Sequence, residues 1–173
     1  MARLRKFCAY RRLERPYTRK SKFRKLNFIR STPNCRIVRF EGGNLTKEYG
    51  VKVDLVSKTN LQIRDNAIES ARLTANRHLE KTLGKTEYRL SVRVYPHHVL
   101  RENPLASGAG ADRMSTGMKM SFGKTIGIAA QIREGQTILS AYVAKNKADV
   151  AKKAMQRSSK KLPCSCRVVI TQL

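Results

Sequence analysis

The chain has 173 residues, 37 of them Lys or Arg against 12 Asp or Glu, a formal net charge of +25, with a 40% hydrophobic fraction and no Trp. That fraction supports an aliphatic core, which excludes a wholly disordered polycation, and no stretch approaches the roughly 20 apolar residues of a membrane-spanning helix. Uncompensated charge of this density repels itself in a compact fold, and a phosphate backbone is the densest polyanion that relieves it.

Residues 1–34 read as an extended basic arm. Pro16 and Pro33 break helices, and no period of 2 or 3.6 organises the apolar positions. The arm carries Arg3, Arg5, Lys6, Arg11, Arg12, Arg15, Arg19, Lys20, Lys22, Arg24, Lys25 and Arg30, opposed by Glu14 alone. Phe7, Tyr10, Tyr17, Phe23 and Phe28 interleave with them. Arginine forks suit phosphates and stack on bases, and aromatic faces offer stacking platforms. Stretched out, thirty residues reach about 100 Å, far enough to thread between distant RNA elements.

Residues 35–173 read as one domain. Ile37-Val38-Arg39-Phe40 forms a short strand closed by Gly42-Gly43. Val51, Val53 and Leu55 alternate with Lys52 and Asp54 as a half-buried strand. A helix follows, capped by Asn66 with Glu69 three residues on; Ile68, Ala71, Ala75 and Leu79 form its apolar stripe and Gly84 its stop. Tyr88, Leu90, Val92 and Val94 alternate with Arg89 and Arg93, which puts the arginines on the other face, in water or on phosphate. Pro96 ends that strand.

From Glu102 to Gly127 the chain is rich in Gly, Ala, Ser and Met with scattered cations. A loop longer than about 12–15 residues in a compact domain is functional or disordered more often than inert. Ile126, Ile128, Ala130 and Ile132 then alternate, Glu134-Gly135-Gln136 makes a hairpin turn, and Thr137 to Val143 returns as the partner strand. A second helix starts near Asn146 in the same capping arrangement with Asp149; Val150, Ala151, Ala154 and Met155 are its buried stripe. Arg167 to Ile170 is a last strand. The sum is an α+β fold, a single sandwich-like domain with two helices packed on a mostly antiparallel sheet.

Enzymatic signatures are missing. A phosphate loop needs glycine five residues before its Gly-Lys-Thr, but that position is Met118 for Gly123-Lys124-Thr125 and Leu79 for Gly84-Lys85-Thr86. The cysteines Cys8, Cys35, Cys164 and Cys166 lack zinc-knuckle spacing and read as free thiols in a reducing compartment. His97 and His98 are adjacent and point to opposite faces, so they do not share a metal. No catalytic residue, metal or cofactor is expected. A free-standing RNA-modifying enzyme, for which the Gly-Lys-Thr triplets and His97 would matter, is the alternative reading, and a DNA-packing protein a third.

The stretch Ser107 to Gly127, with Ala111-Asp112-Arg113, Thr116-Gly117-Met118 and Phe122-Gly123-Lys124, resembles the large-subunit ribosomal protein family called L-ten-e in archaea and eukaryotes and L-sixteen in bacteria. The run from Arg93 to Arg101, the segment Ala67 to His78, and Arg15-Pro16-Tyr17 resemble it too, so the likeness spans essentially the whole chain. The ending at Leu173 resembles archaeal rather than eukaryotic members. The resemblance implies a hammerhead-like domain on large-subunit rRNA, beside the elbow of aminoacyl-site tRNA, in the cytoplasmic ribosome. It implies a loop over 101–112 directed at the peptidyl-transferase centre, with Arg101, Asn103, Ser107, Gly108, Gly110, Asp112, Arg113, Lys119 and Lys124 as functional-centre candidates. Lys119 stands where relatives commonly have Arg. The partners implied are rRNA, tRNA and neighbouring ribosomal proteins, with no membrane and no homo-oligomer.

Overall fold

Alternating apolar positions build eight strands among the residues described by the computed structural model, which are 6–19, 21–29, 31–103, 108–110 and 123–173. In chain order they are β1 (Glu41–Gly43), β2 (Val51–Ser57), β3 (Leu61–Arg64), β4 (Tyr88–Val92), β5 (His98–Glu102), β6 (Lys124–Ile132), β7 (Thr137–Val143) and β8 (Cys166–Gln172). A five-stranded sheet has the order β1-β4-β7-β2-β8, a three-stranded sheet the order β3-β6-β5, and every ladder is antiparallel. The helices are α1 (Cys8–Arg11), α2 (Asp65–Leu83) and α3 (Ala148–Ser159). The expected α+β sandwich is present.

The helices lie where their stripes predict. Ile68, Ala71, Ala75 and Leu79 of α2 are fully buried, as are Ala151, Ala154 and Met155 of α3. These small residues let the two helices approach closely, and Ser158 Oγ donates to the Ala71 carbonyl across the contact at 3.1 Å. α3 covers β2, β7 and β8, while α2 reaches β3, β4 and β6 and so bridges both sheets. One core joins them, centred on Val53, Leu55, Ile63, Ile132, Ile138 and Leu139. β2 is buried along nearly its whole length rather than on one face. Its Asp54 is held by Ser140 Oγ at 2.6 Å and Lys52 Nζ at 2.7 Å, so the buried carboxylate is both paired and hydrogen-bonded.

Four local expectations need correction. Residues 37–40 are not a strand; pairing begins at Glu41, opposite Ser91. The turn at Glu134-Gly135-Gln136 exists, with Gly135 at φ +79°, but it does not join partners. β6 pairs β3 and β5, whereas both edges of β7 are occupied by β4 and β2, so the chain crosses from one sheet to the other. α2 starts at Asp65, not behind an Asn66 cap, because β3 runs into the helix with no linker to hold a cap. Glu69 instead accepts from Arg72 and from the Val38 N–H. A single 3-10 turn, Lys145–Lys147, precedes α3 and displaces the Asn146 cap in the same way. The stop at Gly84 stands as expected, with φ +82° and its N–H donating to the Glu80 carbonyl at 3.0 Å.

The described residues before Cys35 contribute no strand; besides α1 they hold one 3-10 turn, Arg24–Leu26. They lie along the three-stranded sheet. Tyr10 packs with Leu100 and Ala129, and Ile29 with Val99 and Ile128. Gln62 and Gln131 face each other across β3 and β6, and each donates through Nε2 to this segment, to the carbonyls of Arg12 and Glu14 at 2.7 and 2.8 Å. A pair of glutamines thus holds the chain where its own backbone makes no ladder.

Candidate nucleic-acid interface

Cations crowd the surface that this segment creates. Lys6, Arg11, Arg12, Arg15, Arg19, Lys22, Arg24 and Lys25 are all exposed. None has an ion pair among the described residues, where all six pairs lie in the domain proper. Arg3, Arg5, Lys20 and Arg30 lie outside the described residues.

Several guanidinium groups rest on aromatic rings instead of carboxylates. Arg101 sits 3.7 Å from the Tyr17 ring centroid, Tyr17 stacks on Phe28 at 5.8 Å, and Arg19 lies 4.7 Å from the Phe28 centroid. The result is a cation-ring-ring-cation pile linking β5 to the basic segment. Arg11 lies 4.9 Å over Phe7 in the same manner. Ring faces orient a guanidinium without neutralising it and leave its edge N–H groups for phosphate oxygens. The basic segment is also pinned through His98, whose Nδ1 accepts the Tyr17 N–H at 2.9 Å and therefore carries no proton.

A second aromatic row was not foreseen. Phe40 stacks on Tyr95 at 5.3 Å, and His97 leans on Tyr95 at 4.6 Å. Tyr95 is 49% exposed. The row borders a cleft of about 580 Å³ that Arg15 and Arg133 also line. The X-aromatic-Pro-His spacing over 94–97 was the available signal, because Pro96 places residues 95 and 97 on one side of a tight turn closed by the His97 N–H and the Tyr95 carbonyl at 3.0 Å.

The strand arginines separate. Arg93 is exposed, whereas Arg89 bonds Glu41 at 3.1 Å and lies 5.3 Å over Tyr142. Burial pushes the Glu41 carboxyl up, but hydrogen bonds from Ser91 and Arg89, with the charges of Arg89 and Arg93, outweigh it and hold the group below the usual range. Arg89 is therefore engaged internally and Arg93 is available. His78 is held below its ordinary value by burial, then by Arg157 and Lys153, which favours neutral imidazole beside Arg157 at 3.0 Å.

Among the loop candidates, Arg101 and Lys124 come together at one end of the β5–β6 ladder, where Arg101 faces Thr125 and Glu102 faces Lys124. Asn103 follows directly. At this end Gly123 has φ +116°, and a Cβ there would stand 3.1 Å from the Glu102 backbone. Only glycine closes the ladder that tightly. Gly108 and Gly110 are exposed with φ +121° and +84°. Ser107, Asp112, Arg113 and Lys119 lie outside the described residues.

No group of three or more His, Cys, Asp or Glu suited to a metal ion occurs among the described residues. Cys164 and Cys166 are 3.4 Å apart as thiols, and the hydrogen bond between them pulls Cys164 down and pushes Cys166 up. Among the described residues, no helix is long and apolar enough to cross a membrane.

Known proteins share this chain's length and pattern. The family model for ribosomal protein L16p/L10e matches residues 14–169. The large ribosomal subunit protein uL16 of Methanococcus maripaludis is 44% identical over 164 residues, 94% of this chain and 91% of that protein. The proteins of the same name from Methanocella arvoryzae and Archaeoglobus fulgidus are 45% and 41% identical, each over 93% of this chain and about nine-tenths of their own length.

Proposed function

The chain belongs to the ribosomal protein L16p/L10e family, and on that premise we propose that it is a structural constituent of the large ribosomal subunit that binds rRNA and helps to seat aminoacyl-site tRNA near the peptidyl-transferase centre. The family is structural and non-enzymatic. Residues 1–34 act as the RNA-binding arm and 35–173 as the domain that holds it. The observation that carries the reading is the basic segment, whose described cations have no ion-pair partner among the described residues and are instead set on rings or left exposed. Such charge is the counterpart of phosphate. Arg93, Arg15 and Arg133 extend it past the aromatic row, and the β5–β6 end adds Arg101 and Lys124 toward tRNA.

The test uses large subunits stripped of the chain and rebuilt with wild type or an Arg101→Ala/Lys124→Ala double variant. Both proteins are expected to stay on the subunit through a high-salt wash, because the arm's own cations and its anchors at Gln62, Gln131 and His98 are unchanged. Only the variant is expected to lose aminoacyl-site tRNA affinity several-fold. Unchanged tRNA binding would refute the tRNA role, and release of wild type by the wash would refute the subunit assignment.

A further inference from the structure

The Cys164 and Cys166 sulfurs stand 3.4 Å apart, only about 1.4 Å beyond the roughly 2.05 Å of a bonded pair. The backbone builds this contact. Cys166 opens β8 opposite Ser57 of β2, and the Lys58 N–H donates to the Ser165 carbonyl at 3.0 Å. The peptide between the two cysteines is therefore held against β2 and the turn that follows it. Ser165 is exposed, while both cysteines are half-buried and pack on the edge of the main core. Alternation along an extended chain sets residues two apart on one side, which is where the two sulfurs meet.

The two thiols are not equivalent. The Cys166 S–H has the Cys164 sulfur at 3.4 Å and the Cys164 carbonyl at 3.6 Å to receive its proton. The hydrogen bond from Cys166 lowers Cys164 most, and it outweighs the burial that opposes it. The same bond, and then burial, raises Cys166. A readily ionised thiol beside one that keeps its proton is a nucleophile beside its resolving partner. Two thiols are too few for a structural zinc site, which takes four ligands, and no third metal-binding side chain joins them among the described residues. Cys8 is exposed and Cys35 half-buried, and neither has a second thiol within hydrogen-bonding distance among the described residues.

We propose that Cys164 and Cys166 form a peroxide-reactive dithiol site that closes reversibly to an intramolecular disulfide. The Cys164 thiolate attacks hydrogen peroxide, the O–O bond breaks, and hydroxide leaves from a Cys164 sulfenic acid. Cys166 then gives up its proton and attacks that sulfur; the S–O bond breaks and a second hydroxide leaves. With the two thiol protons the hydroxides become two waters. Each sulfur has lost one electron and each peroxide oxygen has gained one. The bridge spans residues two apart and so closes a small, strained ring, the kind that a thiol reductant such as glutathione reopens readily. The site does not use the basic segment and stands apart from the RNA reading.

The test treats the reduced full chain with equimolar hydrogen peroxide, blocks the remaining thiols with N-ethylmaleimide and maps the products by peptide mass spectrometry. The expected product is a monomer that has lost two hydrogens from the peptide holding Cys164 and Cys166, and glutathione is expected to restore both thiols. Cys166→Ser keeps a hydroxyl donor beside Cys164 but cannot resolve it, so it is expected to stop at a sulfenic acid that dimedone traps on Cys164. Cys164→Ser is expected to slow oxidation at Cys166 several-fold. Retention of both thiols while Cys8 is oxidised would overturn the site. Equal peroxide rates in the two serine variants, or a bridge formed only between two chains, would overturn it as well.

Discussion

Glu69 ties two parts of the molecule with one carboxylate. It takes two hydrogen bonds from Arg72, at 2.6 and 2.8 Å, and one from the Val38 N–H at 3.4 Å, so the stretch before β1 hangs on α2. The bonds from Arg72 act first and most strongly, burial opposes them, and the balance leaves the carboxyl below its usual range. A carboxylate lowered on folding stabilises the native state above its unfolded pKa, near 4.3, and loses that contribution as pH falls through the lower folded value. Glu69→Gln is therefore expected to cost about 1.5–3 kcal/mol at pH 7, the range of a charge-assisted hydrogen bond. The two proteins' urea midpoints should converge as pH is lowered below about 5, as the wild-type carboxylate takes up its proton in turn. Glu41, also held below its usual range, is common to both proteins, so the difference between the curves isolates Glu69. Parallel curves over that range would show that the carboxylate contributes nothing to folding.

At the scale of elements, the edge pairing of β1 with β4 depends on a close backbone approach. Gly43 has φ +84°, and a Cβ there would lie 2.1 Å from the Tyr88 carbonyl oxygen, a backbone atom that cannot step aside. Its neighbour Gly42 has ordinary backbone and 3.9 Å of clearance to Asn76 Oδ1. Gly43→Ala is expected to cost about 2–4 kcal/mol through left-handed strain and overpacking, and Gly42→Ala less than about 1 kcal/mol. Similar urea midpoints for the two variants would show that β1 frays at no cost. The pair also shows what sequence reveals of an element. Gly42-Gly43 is visible as a break, but whether it ends a strand or lies in one depends on the partner across the ladder. The stripe of α2 was readable because a helix expresses its burial locally, through its own 3.6 period. Strand partners were not, because alternation reports which face is buried and not which edge is taken. β6 and β7 both alternate and meet at a good turn, yet the filled edges of β7 send β6 to the other sheet.

For the whole molecule, charge was the most legible property and its disposition the least. Twelve acids cannot balance 37 cations, so a surplus of 25 must face outward whatever the fold. Composition could not show that Tyr17 and Phe28 would be sandwiched between Arg101 and Arg19, because those four residues converge only when β5 meets the basic segment. It also gave no hint that Gln62 and Gln131 would hold that segment down. The surplus carries a prediction with opposite signs for two measurements. Six ion pairs among the described residues are attractions that salt weakens, but the unpaired cations repel one another, and salt weakens that too. With so few acids, repulsion dominates in the free chain. Its urea midpoint is expected to rise between about 50 and 500 mM NaCl, as the screening length shrinks from more than 10 Å toward a few ångströms. Over the lower part of that range, its affinity for rRNA should fall steeply, by close to one logarithmic unit per neutralised phosphate for each decade of salt. A midpoint that fell with salt would mean that the ion pairs govern stability. A flat rRNA affinity would mean that the surplus does not meet phosphate. Both trends together would place the stabilising counter-charge on the RNA, so that the compact chain is relieved of its own repulsion when it binds.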